Sequence, residues 1–272
     1  MNRFVVSLTT CAVVLTGACG VSTQQEVELG AQYAQQINQQ LPLVTDPEIN
    51  RYINVLGDSI ARVADRRDLD WHFFVVNSPE VNAFAVPGGY IYMNRGLIER
   101  AQNMAQVAGV LGHEIGHVTE RHSIEQMQKA QGTQFGLTIG CILMPAICNN
   151  QAGATALNLG ANAAFARFSR KDEAEADRVG VEFVARAGID PRGVPGMFRL
   201  LMDERQRRPA GVEAWFATHP LEEDRIQATE AQIARMPPAV LQSLSRDSRN
   251  FRAFQDRLRS LPPAPQARRA GD

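Results

Sequence analysis

From Thr45 the chain reads "TDPEINRYINVLGDSIARVA", in which Ile49, Tyr52, Ile53, Leu56, Ile60 and Val63 recur at helical spacing. Thr45 or Asp46, followed by Pro47 and Glu48, supplies a start signal, so an amphipathic helix is expected here. Upstream, Val27 to Gln40 is rich in glutamine and permissive for helix. The pattern then changes period. "WHFFVV", Trp71 to Val76, is aromatic and β-branched and predicts a strand. "NAFAVPGGYIYMN", Asn82 to Asn94, holds two strand-like runs around Pro87-Gly88-Gly89 and predicts a hairpin. Together these runs imply a small sheet of about three strands.

From Asn103 the periodicity becomes helical and stays so. Val107, Val110, Leu111, Ile115 and Val118 form one apolar side of a long helix, while Gly109, Gly112 and Gly116 each cost it up to about 1 kcal/mol relative to alanine. Such glycines predict close packing against a neighbour. Gly132 to Phe168 is rich in glycine, alanine and asparagine, and its apolar run from Phe135 to Ile147 is too short to cross a bilayer, so a buried helix or a cover over a cleft is expected. A polar helix is predicted from near Ser169, an apolar-patterned one before "RQRRPAGVEAWFATHP", and a further one after Pro237-Pro238 to about Leu261. "PPAPQARRAGD" reads as a disordered tail. No internal repeat is visible. The fold class expected is α+β, mostly α-helical, with a small sheet or hairpin beside the long central helix.

The 272 residues suit one medium domain with extensions. Lys plus Arg number 28 against 29 Asp plus Glu, so no overall field favours nucleic acid as a partner and specificity must lie in a local site. At the N-terminus, Arg3 and the apolar stretch Phe4 to Leu15 read as an export signal. "LTGAC" sets small residues ahead of Cys19, which suits a lipoprotein signal over residues 1–18, cut before a cysteine that carries lipid; an ordinary signal peptide cut nearby is the alternative. Either way the mature protein works outside the cytoplasm, and with lipid on Cys19 it is tied to the membrane at the periplasmic face of the envelope. Residues 19–236 then form the main domain and 237–272 a helical extension and tail. Cys141 and Cys148 remain in an oxidising compartment. On an unbroken helix they would lie about 10 Å apart, too far for a disulfide. Pro145 between them should break such a helix, so a disulfide and a pair of buried thiols both stay open.

The chemistry concentrates in "GVLGHEIGHVTERH", Gly109 to His122. His113 and His117 are four apart, so on a helix both imidazoles leave one face a turn apart, as two ligands of a tetrahedral zinc require. Glu114 beside them is placed to take a proton from water rather than to bind metal. This is the His-Glu-x-x-His zincin signature. His122 lies about 140° further round an unbroken helix from His117 and is expected to point away from the metal face. The metzincin arrangement would need glycine at 120 and histidine at 123, where the chain has Glu120 and Ser123. The third ligand must therefore come from elsewhere. "SRKDEAEADRVG" offers Glu173 and Asp177, one turn apart on one side of a helix, with Glu175 about 200° away from each. Glu173 as ligand is consistent with Asp177 as acceptor of the free N–H of a ligand histidine. Asp172 and Glu175 are expected to be solvated.

"HEIGH" followed by "EAEAD", with "NAFAVPGGYIYMNRGLI" before and "THPLEEDRI" after, resembles the zinc metallopeptidase family of HtpX and the CAAX prenyl endoproteases. Within it the chain is most similar to the exported bacterial branch that includes BepA and LoiP. The resemblance spans roughly Glu26 to Glu230. It implies a zincin-like fold, one zinc ion (Zn2+) per chain on His113, His117 and Glu173, and Glu114 as general base. It also implies that Asn82, Ala83, Phe84 and Ala85 lie along the cleft and hold an extended substrate by strand addition. The chain departs from the family in lacking the several membrane helices of the HtpX and prenyl-protease branches, and the repeat array of BepA-type proteins. Prenylated substrates and recruitment through tandem repeats are therefore not expected.

His219 and Arg225 in "THPLEEDRI" carry two readings each. His219 can reach the metal centre, and Arg225 can stabilise an oxyanion; a helix-start turn and a structural salt bridge are the alternatives. A sharper expectation has His219 in the fourth position of the zinc at rest. The function implied is a zinc-dependent endopeptidase of the bacterial cell envelope, as an outer-membrane-anchored lipoprotein acting on unfolded or misassembled envelope proteins. The rival is a latent or non-hydrolytic, chaperone-like periplasmic binding protein with a structural zinc.

Overall fold

In the computed structural model, which describes residues 21–129, 168–220 and 223–262, helix α1 (Thr23–Gln40) starts at a capping box between Ser22 and Gln25. Helix α2 (Pro47–Ala64) starts at Asp46, whose carboxylate accepts from the Glu48 and Ile49 amides at 3.0 and 3.1 Å. Its apolar stripe Ile49, Ile53, Leu56 and Ile60 is buried, as the spacing predicts.

Three strands follow: β1 (His72–Val76), β2 (Ala83–Val86) and β3 (Tyr90–Asn94), in spatial order β1-β3-β2. The expected hairpin is β2 with β3, running from Ala83 opposite Met93 to Val86 opposite Tyr90. Gly88 and Gly89 turn it at φ values of 84° and 100°, a region that suits glycine. Strand β1 pairs with β3 in parallel, so the sheet is mixed and β2 forms one outer edge. Alternation then sorts the two faces. Phe73, Val75, Ala83, Ala85, Ile91 and Met93 join the main core. Val76, Phe84, Val86 and Tyr92 face Ile37 of α1 instead. On that side Phe74, Tyr92 and Phe84 stack in a row with ring centroids 4.9 Å apart at each step.

The helices after the sheet are α3 (Arg95–Arg100), α4 (Met104–Thr119), α5 (His122–Lys129), α6 (Arg170–Arg186), α7 (Gly193–Arg207), α8 (Glu213–Thr218), α9 (Glu223–Ala234), α10 (Pro238–Ser243) and α11 (Arg249–Ser260). The sequence pattern predicts one apolar side for α4, but every residue from Met104 to Val118 is buried. Helices α2, α6 and α7 and strands β2 and β3 enclose it, so its polar positions Gln106, His113, Glu114 and His117 face the interior. Between α4 and α6 the backbones come close, with the Val184 and Val179 methyls lying against Gly112 and Gly116. A methyl group on Gly112 would sit 3.0 Å from the Gly180 carbonyl oxygen, and one on Gly116 3.0 Å from that of Ala176. These are the close contacts that the glycine spacing predicts.

Beyond Pro237 the chain forms two helices, where the sequence pattern predicts one. Helix α11 buries Phe251, Phe254 and Leu258 in the main core, and Tyr52 of α2 stacks on Phe254 at 4.4 Å. Arg257 pairs with Asp46 at 2.7 Å, tying α11 to the start of α2. The expected signal at 1–18, Cys19, Cys141, Cys148, the expected cover from Gly132 up to Phe168 and the tail past Pro262 lie outside the described residues. Among the described residues no helix is long and apolar enough to cross a membrane.

Candidate metal centre

Helix α4 presents His113 and His117 from one face, with their Nε2 atoms 3.0 Å apart. The contact with α6 brings Glu173 to them: its Oε1 lies 3.2 Å from His117 Nε2 and its Oε2 3.6 Å from His113 Nε2. His219 ends α8 and approaches from the opposite side of the sequence, with Nδ1 3.3 Å from His113 Nε2 and 3.0 Å from Glu173 Oε1. One ligand atom from each of these four residues fits within 4.8 Å of all the others, and all four residues are buried. A tetrahedral metal with bonds of about 2.0–2.1 Å spaces its ligands about 3.3–3.4 Å apart, so the observed 3.0 to 3.6 Å suits one ion. Two neutral imidazoles, a third imidazole and a carboxylate are also the donor set that zinc takes.

Each ligand is held from behind. Asp177, one turn past Glu173 on α6, sets Oδ1 2.9 Å from His113 Nδ1. Arg225 of α9 donates through Nε and Nη2 to the two Asp177 oxygens at 2.7 and 2.8 Å, and through Nη1 to the Pro220 carbonyl at 2.9 Å. The same Nη1 lies 2.5 Å from Glu173 Oε2. Its guanidinium is thus committed to the two carboxylates and the loop after His219, in the arrangement of a structural salt bridge. Phe168 lies over the His117 ring at 3.9 Å, and its amide donates to the Thr218 carbonyl, next to His219.

Glu114 shares the interior with this cluster. Neither of its carboxylate oxygens has a hydrogen-bond partner among the described residues, and His219 Nε2 lies 3.5 Å from Oε1. Burial raises its pKa, with the neighbouring His219 and His113 offsetting part of the rise. Burial also acts on Glu173, but His219 and Arg225 more than offset it and hold that carboxyl well below the usual range. The two glutamates are therefore driven apart: one stays an anion suited to a cation, the other is suited to accept a proton. For His117, burial lowers the pKa well below its ordinary value, which favours the neutral, metal-binding imidazole.

Of the other residues singled out, Ala83, Phe84 and Ala85 lie on edge strand β2, which packs against α4, with Ala83 and Ala85 on the α4 side. Asn82 precedes it, its carbonyl accepting from Asn94 and its buried Oδ1 without a partner among the described residues. Asp172 is not a solvated charge: it is buried in a capping box with Ser169 at the start of α6. His122 also departs from expectation. It is not among the four clustered ligands, but it does not point away. Helix α4 stops at Thr119, Arg121 takes a left-handed φ of 61°, and His122 turns back to set Nδ1 3.0 Å from His117 Nδ1. An angle of about 140° past His117 holds only on an unbroken helix, and no residue type at 120 or 121 announces the break.

A family model described as peptidase family M48 matches residues 47–233. The beta-barrel assembly-enhancing protease of Escherichia coli (strain K12) is 34% identical over 231 residues, which cover 82% of this chain and 47% of that protein. Its counterpart in Yersinia pestis is 32% identical over 224 residues, 80% of this chain and 46% of that protein. The mitochondrial metalloendopeptidase OMA1 of Arabidopsis thaliana is 38% identical over 173 residues, 58% of this chain and 34% of that protein. The chain spans about half the length of these curated relatives or less.

Proposed function

Because the chain belongs to peptidase family M48, whose model covers residues 47–233, we propose that it is a zinc-dependent endopeptidase of the bacterial cell envelope that cleaves unfolded or misassembled proteins. The observation that carries this reading is the convergence of His113, His117 and Glu173 beside a buried, unpartnered Glu114. A zinc ion held by those three residues supplies Lewis acidity, lowering the pKa of water to about 7 and polarising the scissile carbonyl.

The remaining steps belong to the chain's own groups. Glu114 takes the proton of the attacking water on a carboxylate oxygen and passes it to the leaving amine. Its buried setting makes it a stronger base than a solvated glutamate. Asp177 accepts the Nδ1 proton of His113 and keeps that ring's Nε2 free for the metal. Arg225 orders Glu173 and Asp177, the role its contacts support better than direct stabilisation of an oxyanion. His219, with Nδ1 inside the cluster, would be a further residue holding the ion at rest and would have to give way to water and substrate. An extended substrate adds to the free edge of β2, with Asn82 to Ala85 beside it; the position of that strand against α4 supports this.

Anchoring through lipid on Cys19 at the periplasmic face is supported by the "LTGAC" run and the apolar segment before it. Misassembled outer-membrane proteins are the substrate class that the name of the beta-barrel assembly-enhancing proteases supports. The test is zinc content and cleavage of unfolded casein for the full chain beside Glu114→Gln. About one zinc per chain with cleavage lost in the variant is the expected result. Zinc in both with cleavage by neither would overturn it in favour of a binding protein with a structural zinc.

A further inference from the structure

His117 needs a group behind it as His113 does. A histidine that binds metal through Nε2 carries its proton on Nδ1, and the partner of that proton fixes ring orientation and tautomer. For His113 the partner is the Asp177 carboxylate at 2.9 Å. For His117 the Nε2 side is taken up with Glu173 and His113, at 3.2 and 3.0 Å, so only Nδ1 is left for an outer partner. The atom that meets it is His122 Nδ1, at 3.0 Å.

We infer that His122 is the positioning residue of His117, accepting the Nδ1 proton of that ring so that its Nε2 lone pair faces the metal site. The inference rests on the reading of His113, His117 and Glu173 as metal ligands. For His122 Nδ1 to accept, its own proton must sit on Nε2. That nitrogen makes no hydrogen bond among the described residues, but Glu175 Oε2 at 3.7 Å puts a negative charge beside it, which attracts an Nε2 proton. His122 is 2% exposed, so water does not compete at Nδ1. Phe168 over the His117 face leaves the ring little freedom to turn away. The two ligand histidines are then backed differently, one by an anion and the other by a neutral imidazole.

The backbone is arranged to deliver this contact. The left-handed Arg121 puts His122 beneath His117, and its side chain is tied down at both ends of reach: Nε lies 2.8 Å from Glu26 Oε2 and Nη2 2.5 Å from the Val21 carbonyl. A left-handed non-glycine residue costs about 1–2 kcal/mol, and such strain persists where surrounding contacts impose it.

The test is zinc affinity of the full chain by competition with a chromogenic chelator, for wild type, His122→Asn and His122→Phe. Asparagine places an oxygen acceptor close to the Nδ1 position, and phenylalanine fills the volume without one. The expected result is a loss of about 10–100-fold for phenylalanine and retention of most of the affinity for asparagine. Should the phenylalanine variant not fold, His122→Gln, whose polar end falls beyond the Nδ1 position, reads the same difference. Equal affinity in wild type and His122→Phe, or equal loss in the asparagine and non-accepting variants, overturns the inference. Wild type that takes up no zinc overturns instead the ligand reading on which it stands.

Discussion

Gly112 and Gly180 meet backbone to backbone: a Cβ on Gly180 would lie 3.0 Å from both the Gly112 carbonyl carbon and the His113 nitrogen. The contact sets the distance between the helix that carries the two histidines and the helix that carries Glu173. Gly180→Ala should gain up to about 1 kcal/mol of helix propensity and lose about 1–3 kcal/mol to overpacking. A net destabilisation of up to about 2 kcal/mol in urea melts, accompanied by weaker zinc binding, is expected. Unchanged or raised stability with unchanged zinc affinity would mean that the helices part without effort.

His219 is placed so that it can block the centre as well as complete it. If it fills the fourth position at rest, His219→Ala should cleave unfolded casein faster per bound zinc than wild type. A rate that is unchanged or lower removes the resting-block idea and leaves His219 as a ligand or donor during turnover.

Glu26 of α1 is 1% exposed and takes two arginines on one oxygen, Arg67 at 2.9 Å and Arg121 at 2.8 Å. Arg67 also donates to the Val118 carbonyl at the end of α4, at 2.8 Å. Glu26→Gln should lower the unfolding free energy by about 1.5–3 kcal/mol, the range for hydrogen bonds to charged groups. Denaturant titration decides; a loss below a few tenths of that range would mean the arginines find water instead.

The Arg257 guanidinium beside Asp46 holds that carboxyl below its ordinary 3.8. A carboxyl depressed on folding contributes stability that is fully present above its unfolded value and is lost as pH falls through its folded one. Arg257→Gln should therefore lower the urea midpoint slightly at neutral pH, with the gap to wild type closing in strongly acidic buffer. A gap that is independent of pH would assign the effect to packing of α11 against α2.

Much of the candidate centre is legible in the sequence, because a spacing of four on a helix is a geometric statement. His113 with His117, and Glu173 with Asp177, each follow from helix period alone, and the structure brings the two pairs together. The glycines of α4 announced a close neighbour but not which one. The strand runs and their hairpin were legible from alternation and from Pro87-Gly88-Gly89. That β1 lies parallel to β3 was not, since alternation carries no strand direction. The burial of α4 on all sides was masked by its own chemistry: polar residues needed inside read as a polar face. His122 stays outside the ligand cluster, as its spacing predicts, but its contact with His117 is not legible, because a single left-handed residue resets every angle after it and arginine is not a residue type that signals one.

His113 and His219 of the candidate centre touch across a separation of 106 residues. Closing so long a loop precedes any reward from the contacts it makes, which places assembly of the centre late in folding. A chain emerging from N- to C-terminus carries the His-Glu-x-x-His segment before the carboxylate of α6 or the loop of His219 exists. It therefore has a motif but no working centre. If the proposed activity holds, chain order itself delays it: a cutting centre would exist only once the molecule has stopped being an unfolded chain itself.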